Sequence, residues 1–311
     1  MSDTSIRTVI IPAAGLGTRL LPATKVTAKE LLPVYDRVVL DFAIEEAIGL
    51  GAERIVVVIS TAKVAIQAYL ASKNLQTAGH DESSSAAQKT GPQITIGPKI
   101  KTGPQIMYVF QDRPLGLGHA VLCCRDVTLP GPFAVLLPDD IVMGPNCLSE
   151  MSSQYASGHM VAAMQVKAEE TSQYGIFRLG GLPRDRCLPV SGMVEKPAPG
   201  TAPSSYAAVG RYILDPLIFD VLDNTPSGKG GEVQLTDAIA ISGRAIPVVA
   251  FRFSGTRHDC GNHDGLLAAS LARQDVTRQE NAVAEYAGSH SPTPQRRVVL
   301  HSHYSKTVLD S

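Results

Sequence analysis

The chain has 311 residues, of which 44% are apolar, 5% aromatic and only 18% charged, against about 25% charge in ordinary soluble domains. Its 28 Lys and Arg against 29 Asp and Glu leave a formal net charge of -1, so no excess of cations is available to neutralise a nucleic-acid backbone. At this length roughly three quarters of the unfolded surface can be buried without disulfides or a structural metal.

The first apolar run, residues 8–11, stands directly before a glycine turn, and the residues ahead of it lack the basic flank and apolar stretch of a signal peptide. No apolar run approaches the ~20 residues that span a bilayer, so no membrane association is expected. The five cysteines include no Cys-x-x-Cys pair, which reads as reduced thiols in the cytoplasm. Further short apolar runs at 54–59, 106–110 and 133–137 are bounded by turn residues, as strands buried on both faces should be. Helical patterns fall between them at 39–50 and 118–125. This alternation predicts an α/β fold, a Rossmann-like mixed and mostly parallel sheet flanked by helices, with ligands at the carboxyl ends of the strands.

Residues 71–105 are rich in Ser, Gly, Ala and Lys and repeat the hexapeptide Lys-Thr-Gly-Pro-Gln-Ile at 89–94 and 101–106. Such a composition predicts a flexible excursion from the core. From Met160 the apolar runs are less regular, at 160–166, 194–196, 207–213 and 248–253, which predicts a smaller mixed-sheet part. A helix is expected over 264–279, with Leu266, Leu267 and Leu271 facing the core rather than an interface. The organisation expected is one domain over 1–285 and a tail over 286–311, within which Val298-Val-Leu300 could dock elsewhere.

Four strand-end motifs carry candidate chemistry. After the first run comes Ala13-Ala-Gly-Leu-Gly-Thr-Arg-Leu-Leu-Pro-Ala-Thr-Lys25, then Lys29-Glu30. Gly15 and Gly17 allow a sharp turn with N–H donors aimed at phosphate oxygens. The dinucleotide fingerprint would need a third glycine where Leu20 stands, and a P-loop would need Gly-Lys-Ser/Thr where Gly-Thr-Arg stands. What remains is a glycine turn with three cations, Arg19, Lys25 and Lys29, suited to a polyphosphate.

The second motif is Leu137-Pro-Asp-Asp140, whose carboxylates suit Mg²⁺ if a partner carboxylate joins them, and otherwise a turn or cap. His258-Asp-Cys-Gly-Asn-His263 supplies that partner in Asp259; its spacing matches no standard zinc pattern. The third, Gln111-Asp-Arg-Pro-Leu-Gly-Leu-Gly-His119, is a glycine turn into a helix, where His119 is either a base or a capping residue. The fourth, Glu195-Lys196-Pro197, is an acid and a base side by side at a strand end, which is also ordinary surface.

Taken in order, residues 14–30, 116–123 and 137–140, Tyr174-Gly-Ile, Glu195-Lys-Pro, Val209-Gly-Arg-Tyr212, residues 231–239 and 258–262 resemble the sugar-phosphate nucleotidyltransferases, specifically the bacterial UTP:glucose-1-phosphate uridylyltransferases. The resemblance spans about residues 5 to 280. It implies that Gly15, Gly17, Thr18 and Arg19 wrap the UTP phosphates, that Lys29 reaches the reacting phosphates, and that Ala14, Gln111 and Gly116 meet the uracil. Asp139 and Asp259 would hold Mg²⁺, Gly175, Glu195 and Val209 would contact glucose, and Lys196 would contact the sugar phosphate. The implied reaction joins UTP and glucose 1-phosphate into UDP-glucose and pyrophosphate, in a homodimer or homotetramer. Alternatives are another nucleotide specificity on the same fold, such as dTTP, or a weakly catalytic regulatory paralogue. One departure stands out: Ala28 replaces the Pro usual before the second lysine, so a fixed φ is lost.

Overall fold

The computed structural model describes residues 4–73, 93–99, 103–228 and 231–289. The first part of the chain forms β1 (Thr8–Pro12), β2 (Pro33–Val34), β3 (Arg37–Val38), α1 (Val39–Leu50), β4 (Arg54–Ile59) and α2 (Val64–Ser72). Then follow β5 (Ile94–Lys99), β6 (Gln105–Phe110), α3 (Leu117–Leu122), β7 (Phe133–Leu136), β8 (Asp140–Met143) and α4 (Cys147–Gln154). The remainder contains β9 (His159–Gln165), β10 (Gly175–Leu179), β11 (Cys187–Glu195), β12 (Tyr206–Leu214), α5 (Leu217–Asp223), α6 (Leu235–Ser242), β13 (Val248–Arg252), β14 (Thr256–Asp259) and α7 (His263–Ser289).

Ten strands form one sheet in the order β10-β11-β13-β9-β12-β7-β1-β4-β6-β5. The block β7-β1-β4-β6 is parallel, as the alternation of strands and helices requires. The second half joins it through the antiparallel pair β7–β12, so the mixed-sheet part is continuous with the parallel one. Side chains alternate across the sheet. Val9 and Ile11 of β1 pack with α1, α2 and α4 on one face, while Ile10 packs with α3, α5 and α6 on the other. Both faces of the central strand are therefore covered, which is why its sequence is apolar without alternation.

Three elements differ from expectation. Within residues 71–105, Ile94–Lys99 is a strand that pairs antiparallel with β6 at the sheet edge; residues 74–92 and 100–102 lie outside the described ones. The helix expected over 118–125 ends at Leu122, and a separate 3-10 turn covers Arg125–Val127. The last helix runs to Ser289 and so enters the expected tail, whose residues 290–311, including Val298 to Leu300, lie outside the described ones. Leu267 and Leu271 do not face the core: they are 62% and 56% exposed. Leu266 and Ala269 form the inner stripe against Val34, Val39 and Ile141, and Leu267 and Leu271 lie one position further round the helix. Among the described residues no helix is long and apolar enough to cross a membrane.

Candidate active site

The loop leaving β1 is pinned at its start, where Ala13 N–H donates to Val58 O at 2.7 Å. Gly17 turns it in the left-handed region at φ 67°, and a methyl there would sit 3.0 Å from Thr24 Cγ2. Thr24 Oγ1 closes the turn by donating to Gly17 O at 2.8 Å. Leu20 is buried beneath, while Thr18 and Arg19 point outward. Gly15 has open space around it, so exposure of its N–H, rather than crowding, is what its lack of a side chain serves. Lys25 is exposed and makes no ion pair among the described residues. Ala28 holds φ at -58°, the value a proline would impose.

Lys29 Nζ reaches across to Asp139 Oδ2 at 2.5 Å. Burial works against the Lys29 ammonium, yet the charges of Asp139 and Glu30 outweigh it and hold its pKa above the ordinary value. The same contact outweighs the burial of Asp139 and holds that carboxyl below its ordinary value. Asp139 lies in the turn between β7 and β8, and β8 pairs with β14 outside the main sheet, setting Asp140 opposite Asp259. Cys260 N–H donates to Asp139 O at 2.7 Å, and Gly261 N–H to Asp259 Oδ1 at 3.0 Å. A methyl on Gly261 would meet Arg19 Nη2 at 2.5 Å, Asp259 Oδ1 at 2.9 Å and Asp139 Oδ2 at 3.0 Å. Two carboxylates and a guanidinium thus converge on one space that only a glycine leaves free.

This donor set fits a hard divalent cation such as Mg²⁺, which takes one or two carboxylates and completes its shell with phosphate oxygens and water. Among the described residues no group of three or more His, Cys, Asp or Glu forms a closed metal cage. The carboxylate turn rests on a buried pair: Arg211 Nη2 donates to Glu46 Oε2 at 2.7 Å, and its Nη1 also bonds Asp140 O. Arg257 braces the other side, donating from Nε to Asp140 Oδ1 at 2.8 Å and from Nη1 to Tyr174 Oη at 3.2 Å.

At the end of β6, the buried Gln111 donates from Nε2 to Gly116 O at 3.1 Å and lies 2.9 Å from His119 Nδ1. A carbonyl only accepts, so the amide nitrogen must face it and Oε1 is turned the other way. Burial keeps the His119 pKa below its ordinary value, consistent with a neutral ring accepting at Nδ1; it is a support for Gln111 rather than a free base. Gly116, at φ 94°, lies against Glu232 and Val233, and Gly118 N–H donates to Val233 O at 2.8 Å. Ala14 is buried in the cluster on this face of the sheet.

On the antiparallel side Gly175 pairs with Glu195, and Thr236 Oγ1 donates to Glu195 Oε2 at 3.1 Å. Lys196 stands at φ 42°, its N–H donating to Tyr174 O at 3.0 Å and its Nζ 3.7 Å from Glu195 Oε1. Val209 is 1% exposed, so its side chain belongs to the core and only its backbone is available to a ligand. Sequence reasoning missed Lys63, Arg257, and the pair Arg211–Glu46. Lys63 follows β4 by a few residues, so the strand-end rule could have found it. Arg257 lies beside one motif and Arg211 within another, but they needed the pairings of β8 with β14 and β7 with β12 to acquire a role.

A phosphate-suited glycine loop, two converging carboxylates and an amide held at a strand end define a site for transfer of a nucleotidyl group. The nucleotidyl transferase family profile matches residues 8–276, and the chain belongs to that family. It is 39% identical over 289 residues to the UTP--glucose-1-phosphate uridylyltransferase of Bacillus subtilis (strain 168), covering 89% of this chain and 95% of that protein. The Pseudomonas aeruginosa protein of the same name is 36% identical over 275 residues, covering 85% and 95%. Among solved structures, a UDP-glucose pyrophosphorylase complexed with UDP-glucose superposes with a TM-score of 0.73 at 34% identity, covering 87% of this chain and 99% of that one. A UTP-bound enzyme from Acinetobacter baumannii gives a TM-score of 0.70 at 34% identity, covering 86% and 93%.

Proposed function

We propose that this chain transfers the uridylyl group of UTP to glucose 1-phosphate, giving UDP-glucose and pyrophosphate. The observation that carries the reading is the convergence of Arg19, Asp139 and Asp259 at Gly261, with Lys29 on Asp139, beyond the carboxyl ends of the parallel strands β1 and β7. The names of the relatives give the nucleotide and the sugar.

Glucose 1-phosphate has a second pKa near ~6, so its attacking oxygen is ionised at neutral pH and needs no strong general base. That oxygen forms a bond to the α-phosphorus of UTP while the bond to the β-phosphate oxygen breaks, and the electron pair leaves with pyrophosphate. Two anions must meet, so positioning and charge neutralisation supply the catalysis. Arg19 and Lys29 neutralise the UTP phosphates, with the N–H groups of Gly15, Gly17 and Thr18 around them. Gln111, with Ala14 and Gly116, receives the base: its Oε1 is an acceptor suited to the N3–H of uracil. Glu195, Gly175 and the backbone at Val209 take the glucose hydroxyls, and Lys196 takes the sugar phosphate. Asp139 and Asp259 would hold Mg²⁺, which supplies charge neutralisation between the two phosphates when bound.

Residues 1–285 act as one nucleotidyltransferase domain in this reading, supported by the continuous sheet. The five free cysteines support a cytoplasmic setting. Exposed Leu267 and Leu271 support a homodimer or homotetramer, which sedimentation would measure. The activity is tested by pyrophosphate release from UTP, dTTP, CTP, ATP and GTP with glucose 1-phosphate and Mg²⁺. UTP is expected to be the preferred substrate; a preference for dTTP overturns the assignment.

A further inference from the structure

Lys63 lies in no motif, yet its ammonium makes three contacts. Nζ donates to Ala13 O at 2.7 Å and to the two Glu30 carboxylate oxygens at 3.1 and 2.8 Å. An ammonium has three N–H donors, so every one is used. Ala13 is the first residue after β1, and Glu30 follows Lys29. A single side chain therefore closes both ends of the segment 14–29, which contains the phosphate turn and the lysine on Asp139.

The anchor itself is held. Lys63 ends the 3-10 turn Thr61–Lys63 just after β4, and β4 lies beside β1 in parallel register. Thr61 N–H donates to Asp112 Oδ1 at 2.9 Å, tying that turn to the loop after β6. Glu30 is 0% exposed, and Lys63 is the only cation in ion-pair contact with it among the described residues. Burial disfavours both charges, raising the pKa of Glu30 and lowering that of Lys63, and each partly offsets the cost for the other. Along the fold the signs alternate: Lys63, Glu30, Lys29, Asp139. A buried ion pair is weak evidence for stability by itself, since apolar replacements often do as well. The contact with Ala13 O is what gives this one a different use.

We propose that Lys63 is a positioning residue for nucleotidyl transfer, fixing both ends of the segment 14–29 so that Lys29 is held where the phosphates react. It touches no substrate. The inference rests on the uridylyl-transfer reading of the site.

The test uses K63M and the double variant K63M/E30Q, with melting temperature, kcat, KM and amide hydrogen exchange measured on the full chain. K63M strands the buried Glu30 charge and should melt lower. K63M/E30Q removes that charge and so folds even if K63M does not. In the double variant melting should return towards wild type while kcat stays about ten- to a hundredfold low, the scale expected for a small misplacement of a catalytic group. KM for glucose 1-phosphate should stay within about twofold. Amides of residues 14–29 should exchange faster than in wild type, with those of α1 unchanged. Recovery of wild-type kcat in the double variant overturns the proposal and leaves Lys63 as a charge partner only. Wild-type exchange across 14–29 overturns it equally, whatever happens to kcat. If the wild-type chain does not turn over UTP, the function assignment falls, while the exchange measurement still decides whether Lys63 fixes the segment.

Discussion

Lys29 and Asp139 are bonded to each other, Nζ to Oδ2 at 2.5 Å, although the proposed chemistry gives each a different partner. In that proposed reaction the lysine serves a phosphate and the carboxylate a cation. In the proposed reaction, binding of UTP and the cation would exchange partners at both ends of this pair.

Replacing Lys29 with Met should separate these two needs. Turnover is expected to fall by about 10²- to 10³-fold, the usual cost of losing one preorganised charge-stabilising donor. With the ammonium gone, Asp139 is released, so Mn²⁺ alone should bind K29M more tightly than wild type in a paramagnetic titration. Weaker Mn²⁺ binding by K29M would show that the lysine does not compete for Asp139.

The orientation of Gln111 predicts base selection. Its Nε2 is committed to Gly116 O, which leaves Oε1 to accept from uracil N3–H; cytosine presents an acceptor at that position. Q111A should lower kcat/KM for UTP by about tenfold or more, the scale of one hydrogen bond within a buried site. It should cost CTP little, so the ratio between the two nucleotides narrows. An unchanged ratio in a competition assay would remove Gln111 from base recognition.

Position 28 offers a gain rather than a loss. Ala28 already holds φ at -58°, and no backbone hydrogen bond from its N–H occurs among the described residues. A28P should therefore stabilise by about 0.4–1 kcal/mol through the unfolded chain, read as a higher melting temperature, with kcat at or above wild type. A drop in both would mean that the neighbouring Thr27 cannot accommodate the proline ring.

His159 gives the fold a calculable acid limit. Its Nδ1 accepts from Asp215 N–H at 3.1 Å and its Nε2 bonds Ser242 Oγ at 2.8 Å, so a second ring proton would face a donor. Burial lowers its pKa to about 4. An unfolded imidazole takes its proton near pH ~6.5, so between that pH and about 4 the unfolded chain binds more protons and stability falls as pH falls. The loss from this residue is about 2 kcal/mol by pH ~5. Urea unfolding of wild type and H159N across this window should show a shallower pH dependence in the variant; parallel curves would exclude the residue as the cause.

Much of this arrangement was legible because parallel strands buried on both faces announce themselves as apolar runs, and their carboxyl ends are where ligands bind. Thr8–Pro12, Gln105–Phe110 and Phe133–Leu136 were visible for that reason, and with them the loops carrying Arg19, Gln111 and Asp139. The strands β8 and β14 were not visible. Each has four residues, β8 with one charge before three apolar side chains and β14 with no apolar side chain, so neither shows a period that distinguishes it from a turn. Leu267 and Leu271 misled for the opposite reason: apolar residues at helical spacing mark a face, and nothing in the spacing says whether that face meets the core. Lys63 was overlooked because a lone lysine carries no pattern beyond its place just after a strand. Its meaning comes from a carbonyl and a carboxylate that are remote in sequence.

The pairing of β8 with β14 has a consequence for the order in which the protein is made. Asp139 and its loop neighbours emerge from the ribosome more than a hundred residues before Asp259. A nascent chain that has released only its first half already holds the phosphate turn, Lys29 and the parallel strands, but it lacks the second carboxylate and the glycine beside it. Such a chain also lacks Glu232 and Val233, against which Gly116 rests, so in the proposed reaction transfer waits until Asp259 and Gly261 have been made.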